Sequence, residues 1–437
     1  MSIYPVDNYF QGYTYSYPHK SAYRPLSQAI PLSELWVEEK KENLFLYLHI
    51  PFCEMRCGFC NLFTMANPSA EYESPYILAL ERQAIQVKAA LGDMSFARMA
   101  IGGGTPTFLN IKDLEKLFSI VFDIMRVDRT LGIPNSVEMS PKTATPEKLA
   151  LLAEMGATRA SIGVQSFILE ETKALGRPQK LAEVRQALDW IKDSGIPEMN
   201  IDLIYGPEGQ TLDSWQYSIE QAMDYAPEEI FLYPLYVRPL TGLGMKDKEW
   251  NDHRLSLYRF GRDFLLKNGY EQVTMRCFRR VGLKALEGPP YHLAENNMVG
   301  LGVGARSYTK GFHYSTEYAV TRGEVKQIIH DYNGWSDKQF SEVAYGCALN
   351  LEEQKRRYAM KSLLEGSYLD LARYQNYFGT NAMDDLPQLY ALCQDELANL
   401  SMDRLQLNQA GLELSDVIGP WLYSDAVNAM MQEFDLV

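Results

Sequence analysis

The chain has 437 residues, 46% of them hydrophobic, and a formal net charge of −14. That length and apolar content fit a large folded domain plus a smaller one, not a disordered chain. The acidic balance argues against a non-specific grip on nucleic acid or an anionic membrane, and no apolar run is as long as a membrane span.

Residues 1–40 are rich in Tyr, Pro and Ser with little periodicity, and are expected to form an N-terminal arm. Met1-Ser-Ile-Tyr-Pro5 lacks the basic start and apolar core of a secretory signal, so a cytoplasmic location is expected. From Leu44 the pattern alternates. Strands are expected at 44–50, 96–101, 135–139, 158–164, 199–205 and 229–236. Helices are expected at 76–91, 111–125, 146–155, 181–194 and 212–225, with Asn110 and Thr145 as N-caps and Gly92 and Gly195 near C-termini. Six such units imply an α/β fold with a parallel sheet and right-handed crossovers, a partial (β/α)6 barrel over 41–240. Residues 241–345 are expected to pack on its open side. Residues 346–437 are mostly helical, with a hairpin across Met402–Leu414. Such a hairpin could touch DNA, but its acidic setting argues against that.

Cys53-x3-Cys57-x2-Cys60 follows the first strand directly. A structural zinc usually takes four protein ligands, and no fourth lies nearby. A cubane iron–sulfur cluster can take three thiolates and leave one iron open to a small molecule. A zinc site or a chance grouping is the alternative. Cys277, Cys347 and Cys393 are scattered and read as reduced, partly buried thiols. Gly102-Gly-Gly-Thr-Pro-Thr107 lacks the Lys-Ser/Thr of a phosphate loop but allows close backbone approach to a ligand. Glu138 on the third strand could hold an ammonium group. Asp202, in apolar Asn-Ile-Asp-Leu-Ile, needs a partner, which a salt bridge, a cap or a polar ligand would supply. Arg177 could hold a carboxylate in a fork. These residues fall at or near the carboxyl ends of expected strands, where parallel barrels place their chemistry.

Tyr47-Leu-His-Ile-Pro-Phe-Cys53, Gly102–Thr107, Gly163-Val-Gln-Ser-Phe167, Leu175-Gly-Arg177 and Asn200-Ile-Asp-Leu-Ile-Tyr-Gly206 together resemble the radical S-adenosylmethionine superfamily, in its oxygen-independent coproporphyrinogen III oxidase-like branch. The resemblance spans roughly residues 40–310. It implies a six-stranded partial barrel, a winged-helix-like domain over 346–437, a [4Fe–4S] cluster on Cys53, Cys57 and Cys60, and one or two molecules of S-adenosylmethionine. It also implies a small-molecule substrate and a flavodoxin- or ferredoxin-type electron donor. Carried over by position, Gly103, Gly104 and Thr105 meet the methionine groups, Asp202 the ribose, and Gln165 with Arg177 further cofactor groups. Tyr47 lies near the sulfonium, and Tyr236 (through its backbone) and Arg306 complete the set. Phe59 fits an adenine platform or is merely packed. His49 joins Tyr47 as a catalytic candidate or is a structural hydrogen-bonder. These two are expected on opposite faces of the first strand.

The chain departs from the family's pattern on the substrate side. Leu62 stands where true coproporphyrinogen oxidases of this kind carry another cysteine. Arg238-Pro-Leu-Thr241, Glu271-Gln-Val-Thr-Met275 and Arg306 replace further family phrases. Arg238, Arg276, Arg279, Arg280 and Arg306 offer guanidiniums to a carboxylated, tetrapyrrole-like substrate, or are surface-solvated. Slow or absent conversion of coproporphyrinogen III is therefore expected, with radical generation intact. The competing readings are radical methyl transfer and a haem-binding chaperone with a regulatory cluster.

Overall fold

A computed structural model describes residues 8–244, 252–284, 286 and 288–434. The expected strands form as β2 (Leu44–Ile50), β3 (Phe96–Gly103), β4 (Asn135–Met139), β5 (Arg159–Gln165), β6 (Glu198–Tyr205) and β7 (Glu229–Pro234), all parallel in that order; β1 (Arg24–Pro31) precedes them in the chain. Between them run α1 (Ala70–Leu91), α2 (Ile111–Ser119), α3 (Pro146–Glu154), α4 (Leu181–Asp193) and α5 (Leu212–Met223). Leu44, Leu46, Leu48 and Ile50 are fully buried, while Phe45 and Tyr47 are only half-buried. One strand face thus packs into the core and the other looks into the barrel. Asn110 and Thr145 cap α2 and α3 through side-chain oxygens, and Gly92 ends α1 at φ +70°. The expected helix to residue 125 leaves α geometry at Ser119 and continues as a π turn over Ile120–Ile124.

The sheet does not close: β2 and β7 are not paired. It continues on both sides instead. β8 (Tyr270–Gln272) and β9 (Cys277–Arg280) add antiparallel beyond β7. On the other side β10 (Met298–Leu301) lies parallel to β2, followed by β11 (Arg306–Tyr308), β12 (Phe312–Ser315), β13 (Glu342–Ala348) and then β1, all antiparallel. The first forty residues therefore contribute an edge strand to the main sheet. An edge strand is only partly covered, so β1 carries no clean apolar alternation. Ahead of β1, residues 8–23 turn inward across the barrel mouth.

Past residue 350, helices Leu351–Leu364, Leu371–Phe378 and Asp425–Gln432 surround a second core of Tyr358, Leu363, Leu389, Leu405 and Ile418. Its three-stranded sheet joins 369–370, 404–407 and 398–400. The hairpin turn falls at 401–403, where Met402 is fully exposed, and 409–413 is helical, capped by Asn408. The expected hairpin over 402–414 is thus displaced toward the N-terminus, because Asn408 accepts from Gly411 N and starts a helix. Tyr17 reaches Glu353, and Arg276 pairs with Asp416, so the arm and the sheet are both tied to this region. No helix among the described residues is long and apolar enough to cross a membrane.

Candidate cofactor site at the strand carboxyl ends

The loop after β2 brings Cys53, Cys57 and Cys60 together with donors aimed at sulfur. Arg177 Nη1 donates to Cys57 Sγ at 3.2 Å and Thr105 Oγ1 to Cys53 Sγ at 3.4 Å. Thr64 Oγ1 lies 4.0 Å from Cys60 Sγ. The loop is fixed by backbone bonds: Cys60 N to Cys57 O, Gly58 N to Leu175 O, and Leu243 N to Gly58 O. Gly58 lies between Cys57 and Cys60. Its conformation needs no glycine, but a Cβ there would stand 2.9 Å from Leu175 O, so close packing selects it. Burial pushes the Cys53 thiol up to about 12 and the Cys60 thiol upward as well. Desolvated thiols of this kind ionise when an iron supplies positive charge.

Behind the thiols run the glycines. A Cβ on Gly104 would stand 2.6 Å from Phe52 O and 2.9 Å from Cys53 Sγ, so that backbone presses against the cysteine loop. Gly103, at φ +109°, donates its N–H to Glu138 Oε2 at 3.0 Å. Glu138 is reachable by solvent yet surrounded by protein, which identifies the water-accessible space inside the barrel. Burial, with a smaller push from Asp202, raises its carboxyl to about 7. Asp202 looks into the same space. Its Oδ1 accepts from Asn200 Nδ2 at 2.7 Å, and burial lifts it to about 6 against the pull of that bond and of Arg159. Asn200 also donates to Ser161 Oγ at 2.9 Å, and its own Oδ1 is buried without a partner.

Gln165 and Arg177 do come together, on either side of Gly163. A Cβ there would stand 2.6 Å from Gln165 Nε2 and 3.9 Å from Arg177 Nη2. Gln165 sits at φ +69° past a register shift in β5, a strained backbone for a non-glycine residue. Arg177 gives Nη2 to Gly163 O at 3.0 Å. Phe59 packs with Leu175, Ile204, Leu235 and Leu243.

Tyr47 and His49 share one face of β2, correcting the expectation of opposite faces: residues two apart on an extended strand return to the same side. Tyr47 Oη lies 3.3 Å from His49 Nδ1, and His49 Nε2 lies 3.0 Å from Phe63 O. A carbonyl only accepts, so Nε2 carries the hydrogen and the phenol donates to Nδ1. Burial lowers His49 to about 4, so the ring is neutral, with both nitrogens engaged. Tyr236 turns its side chain to Arg276 and Asp416. Arg306 meets the arm: Nη1 donates to Ser16 Oγ at 2.7 Å and the guanidinium lies 4.5 Å over the Tyr15 ring.

Of the five candidate arginines, three are not surface-solvated but paired. Arg276 is buried on Asp416, Arg279 bridges Glu198 and Glu229, and Arg280 meets Glu228. Arg238 donates to Gln11 O. Leu62 is 47% exposed. Tyr13, Tyr15, Ser16 and Lys20 on the arm face the barrel and were missed as site residues. The one signal for them was the density of tyrosines, at 9, 13, 15, 17 and 23.

No trio of His, Cys, Asp or Glu among the described residues is gathered round a single metal ion. A cubane asks for a different arrangement, each thiolate on its own iron. The donors aimed at Cys53 and Cys57, the close-pressed Gly104 and the half-open Asp202 fit such a cluster with a charged ligand beside it.

A family profile described as the radical SAM superfamily matches residues 47–222. The chain is similar to a heme chaperone, HemW, of Bacillus subtilis (strain 168): 30% identity over 292 residues, covering 65% of this chain and 74% of the relative. It is also similar to the oxygen-independent coproporphyrinogen III oxidase of Escherichia coli (strain K12), with 25% identity over 443 residues and 94% of each chain covered. Among solved structures, coproporphyrinogen III oxidase (HemN) from Escherichia coli, described as a radical SAM enzyme, superposes with a TM-score of 0.76. That match covers 93% of this chain and 96% of the other at 22% identity, a likeness of fold.

Proposed function

This chain belongs to the radical S-adenosylmethionine superfamily, in its coproporphyrinogen III oxidase-like branch, and we propose that it is an enzyme that cleaves S-adenosylmethionine to act on a carboxylated, tetrapyrrole-like substrate. The observation that carries this reading is the convergence of the three cysteines, with Arg177 donating to Cys57 and Thr105 to Cys53, on the strand ends that also present Glu138 and Asp202. When bound, a [4Fe–4S] cluster supplies the electron that splits S-adenosylmethionine into methionine and a 5′-deoxyadenosyl radical.

The chain's own residues bind and orient. Cys53, Cys57 and Cys60 would hold the cluster. Arg177 lies against Cys57, which lets it neutralise charge beside a thiolate. Glu138, with Gly103, Gly104 and Thr105 beside it, suits the ammonium end of the methionine moiety. That cation would favour the ionised carboxylate and draw Glu138 back below its raised value. Asp202 suits ribose hydroxyls, and Asn200 fixes its orientation. Gln165 would face the same ligand from its strained strand end, and Phe59 with Ile204 and Leu235 gives an apolar wall for adenine. Tyr47 borders the reacting space. His49 positions Tyr47 and carries no mobile proton of its own. Tyr236 can contribute only backbone groups, since its hydroxyl is committed to Arg276 and Asp416.

The heme-chaperone reading is favoured by the Bacillus relative. Whole-length similarity to an oxidase favours the enzyme. The test is anaerobic incubation of reduced, cluster-loaded protein with S-adenosylmethionine and coproporphyrinogen III, with mass analysis and a parallel haem titration. We expect 5′-deoxyadenosine with slow or absent loss of carboxyl groups. Stoichiometric haem binding without 5′-deoxyadenosine would favour the chaperone. Efficient conversion to protoporphyrinogen IX would mean that the altered substrate-side residues matter little.

A further inference from the structure

Among the described residues, two cations at the barrel mouth have no carboxylate partner. Lys20 Nζ lies 3.5 Å over the Tyr318 ring. Arg306 lies over Tyr15, with one donor on Ser16. Among the described residues neither forms an ion pair with a carboxylate, and the groups acting on them are each other, tyrosines and Cys60. The nearby arginines in and just before β9 behave otherwise: Arg276, Arg279 and Arg280 each have a glutamate or aspartate. A cation enclosed by protein without a counter-ion is costly to hold. Burial, with repulsion from Arg306, pulls the Lys20 ammonium down to about 8. Burial also pushes the Tyr15 hydroxyl up, yet Lys20 and Arg306 outweigh it and hold that phenol below its ordinary value. The field of the pair reaches the reacting space: Arg306 acts on Tyr47, and Lys20 on His49.

We propose that Lys20 and Arg306, braced by Tyr15 and Ser16, form a carboxylate-binding subsite that takes a propionate-type acid of the substrate at the barrel mouth. This rests on the function proposed above and names the groups that would recognise its carboxylated substrate. The Arg306 fork suits the two oxygens of a carboxylate and Lys20 adds a point charge. The incoming acid replaces the Tyr15 hydroxyl as their partner. Because Tyr15, Ser16 and Lys20 belong to the arm, occupancy also ties the arm across the mouth.

The test is a fluorescence titration of the full-length, cluster-loaded protein with coproporphyrin III and, separately, with its tetramethyl ester. The wild type should prefer the acid by roughly tenfold or more, as charged hydrogen bonds of this kind predict. Lys20→Met and Arg306→Leu should each weaken acid binding roughly tenfold and leave the ester unchanged. Arg306→Lys should restore part of the preference, and Tyr15→Phe should keep or tighten it. Iron content and melting temperature check that each variant is folded. A wild type without preference for the acid, or variants that keep it, overturns the subsite. Failure of the wild type to form 5′-deoxyadenosine, with the acid preference present, would instead overturn the cofactor reading and leave the subsite standing.

Discussion

The two sides of the barrel mouth are built from different materials. The cofactor side lies on consecutive strand ends and is made largely of backbone, glycines and short polar contacts, as in Gly103 N on Glu138 and Arg177 on Cys57. The facing side is assembled from residues distant in the chain: Tyr15, Lys20, Tyr236, Arg276, Arg306 and Asp416. The first side suits a ligand whose geometry is fixed by strand spacing. The second is set by a few long side chains drawn from separate parts of the chain, so substitutions there can change its recognition without touching the strand ends. A chain of this construction can hold one cofactor chemistry and vary its substrate.

The largest difference between the sides is expected from the thiols. A variant with Cys53, Cys57 and Cys60 all changed to Ala should bind no stable cluster, with iron and sulfide counted after anaerobic reconstitution. A variant that still carries a full complement of iron would break the comparison at its root. On the facing side, Asp416→Ala strands the buried Arg276, and loss of one member of such a pair costs about 3–5 kcal/mol in urea unfolding. Replacing Arg276 and Asp416 together by apolar residues should cost less. An equal cost would show that the pair itself, not the orphaned charge, supplies the stability.

His49 gives a pH test. Its folded value is about 4 against 6.5 unfolded, a depressed base. Its stability contribution is present above pH 6.5 and is lost as pH falls toward 4, to a total of ~3 kcal/mol. Urea curves of cluster-free protein should therefore show His49→Gln well below wild type at pH 7.5 and closer to it at pH 4.5. A constant gap would contradict the neutral, doubly hydrogen-bonded ring. A smaller effect is expected at Asp202. Asp202→Ala should weaken S-adenosylmethionine by roughly 1–3 kcal/mol in calorimetry while iron content stays unchanged. Unchanged affinity would remove Asp202 from the ribose assignment.

These two sides also differ in how far they could be read from sequence. β2 to β7 were legible to within two residues, because strands covered on at least one side carry apolar runs and end in caps and glycines. The motifs at their ends followed. Tyr47 and His49 were placed on opposite faces although a spacing of two determines one face. The arm was illegible as part of the site: its residues contact β6, β7, β11 and the C-terminal helices, pairings that no local periodicity reports. For Arg276 the sequence leaves substrate binding and surface solvation open, because its partner Asp416 lies 140 positions away. The hairpin at 398–407 was displaced because apolar spacing in Leu412–Leu414 suits strand and helix alike until the Asn408 cap decides.

The most direct measurement of the central claim is 5′-deoxyadenosine formed per cluster by the full-length, anaerobically reconstituted wild type with dithionite and S-adenosylmethionine, beside the triple cysteine-to-alanine variant under the same conditions. The account predicts product accumulating from the wild type and none above background from the variant. Equal product from both, or none from a wild type shown to hold its full cluster, would contradict it.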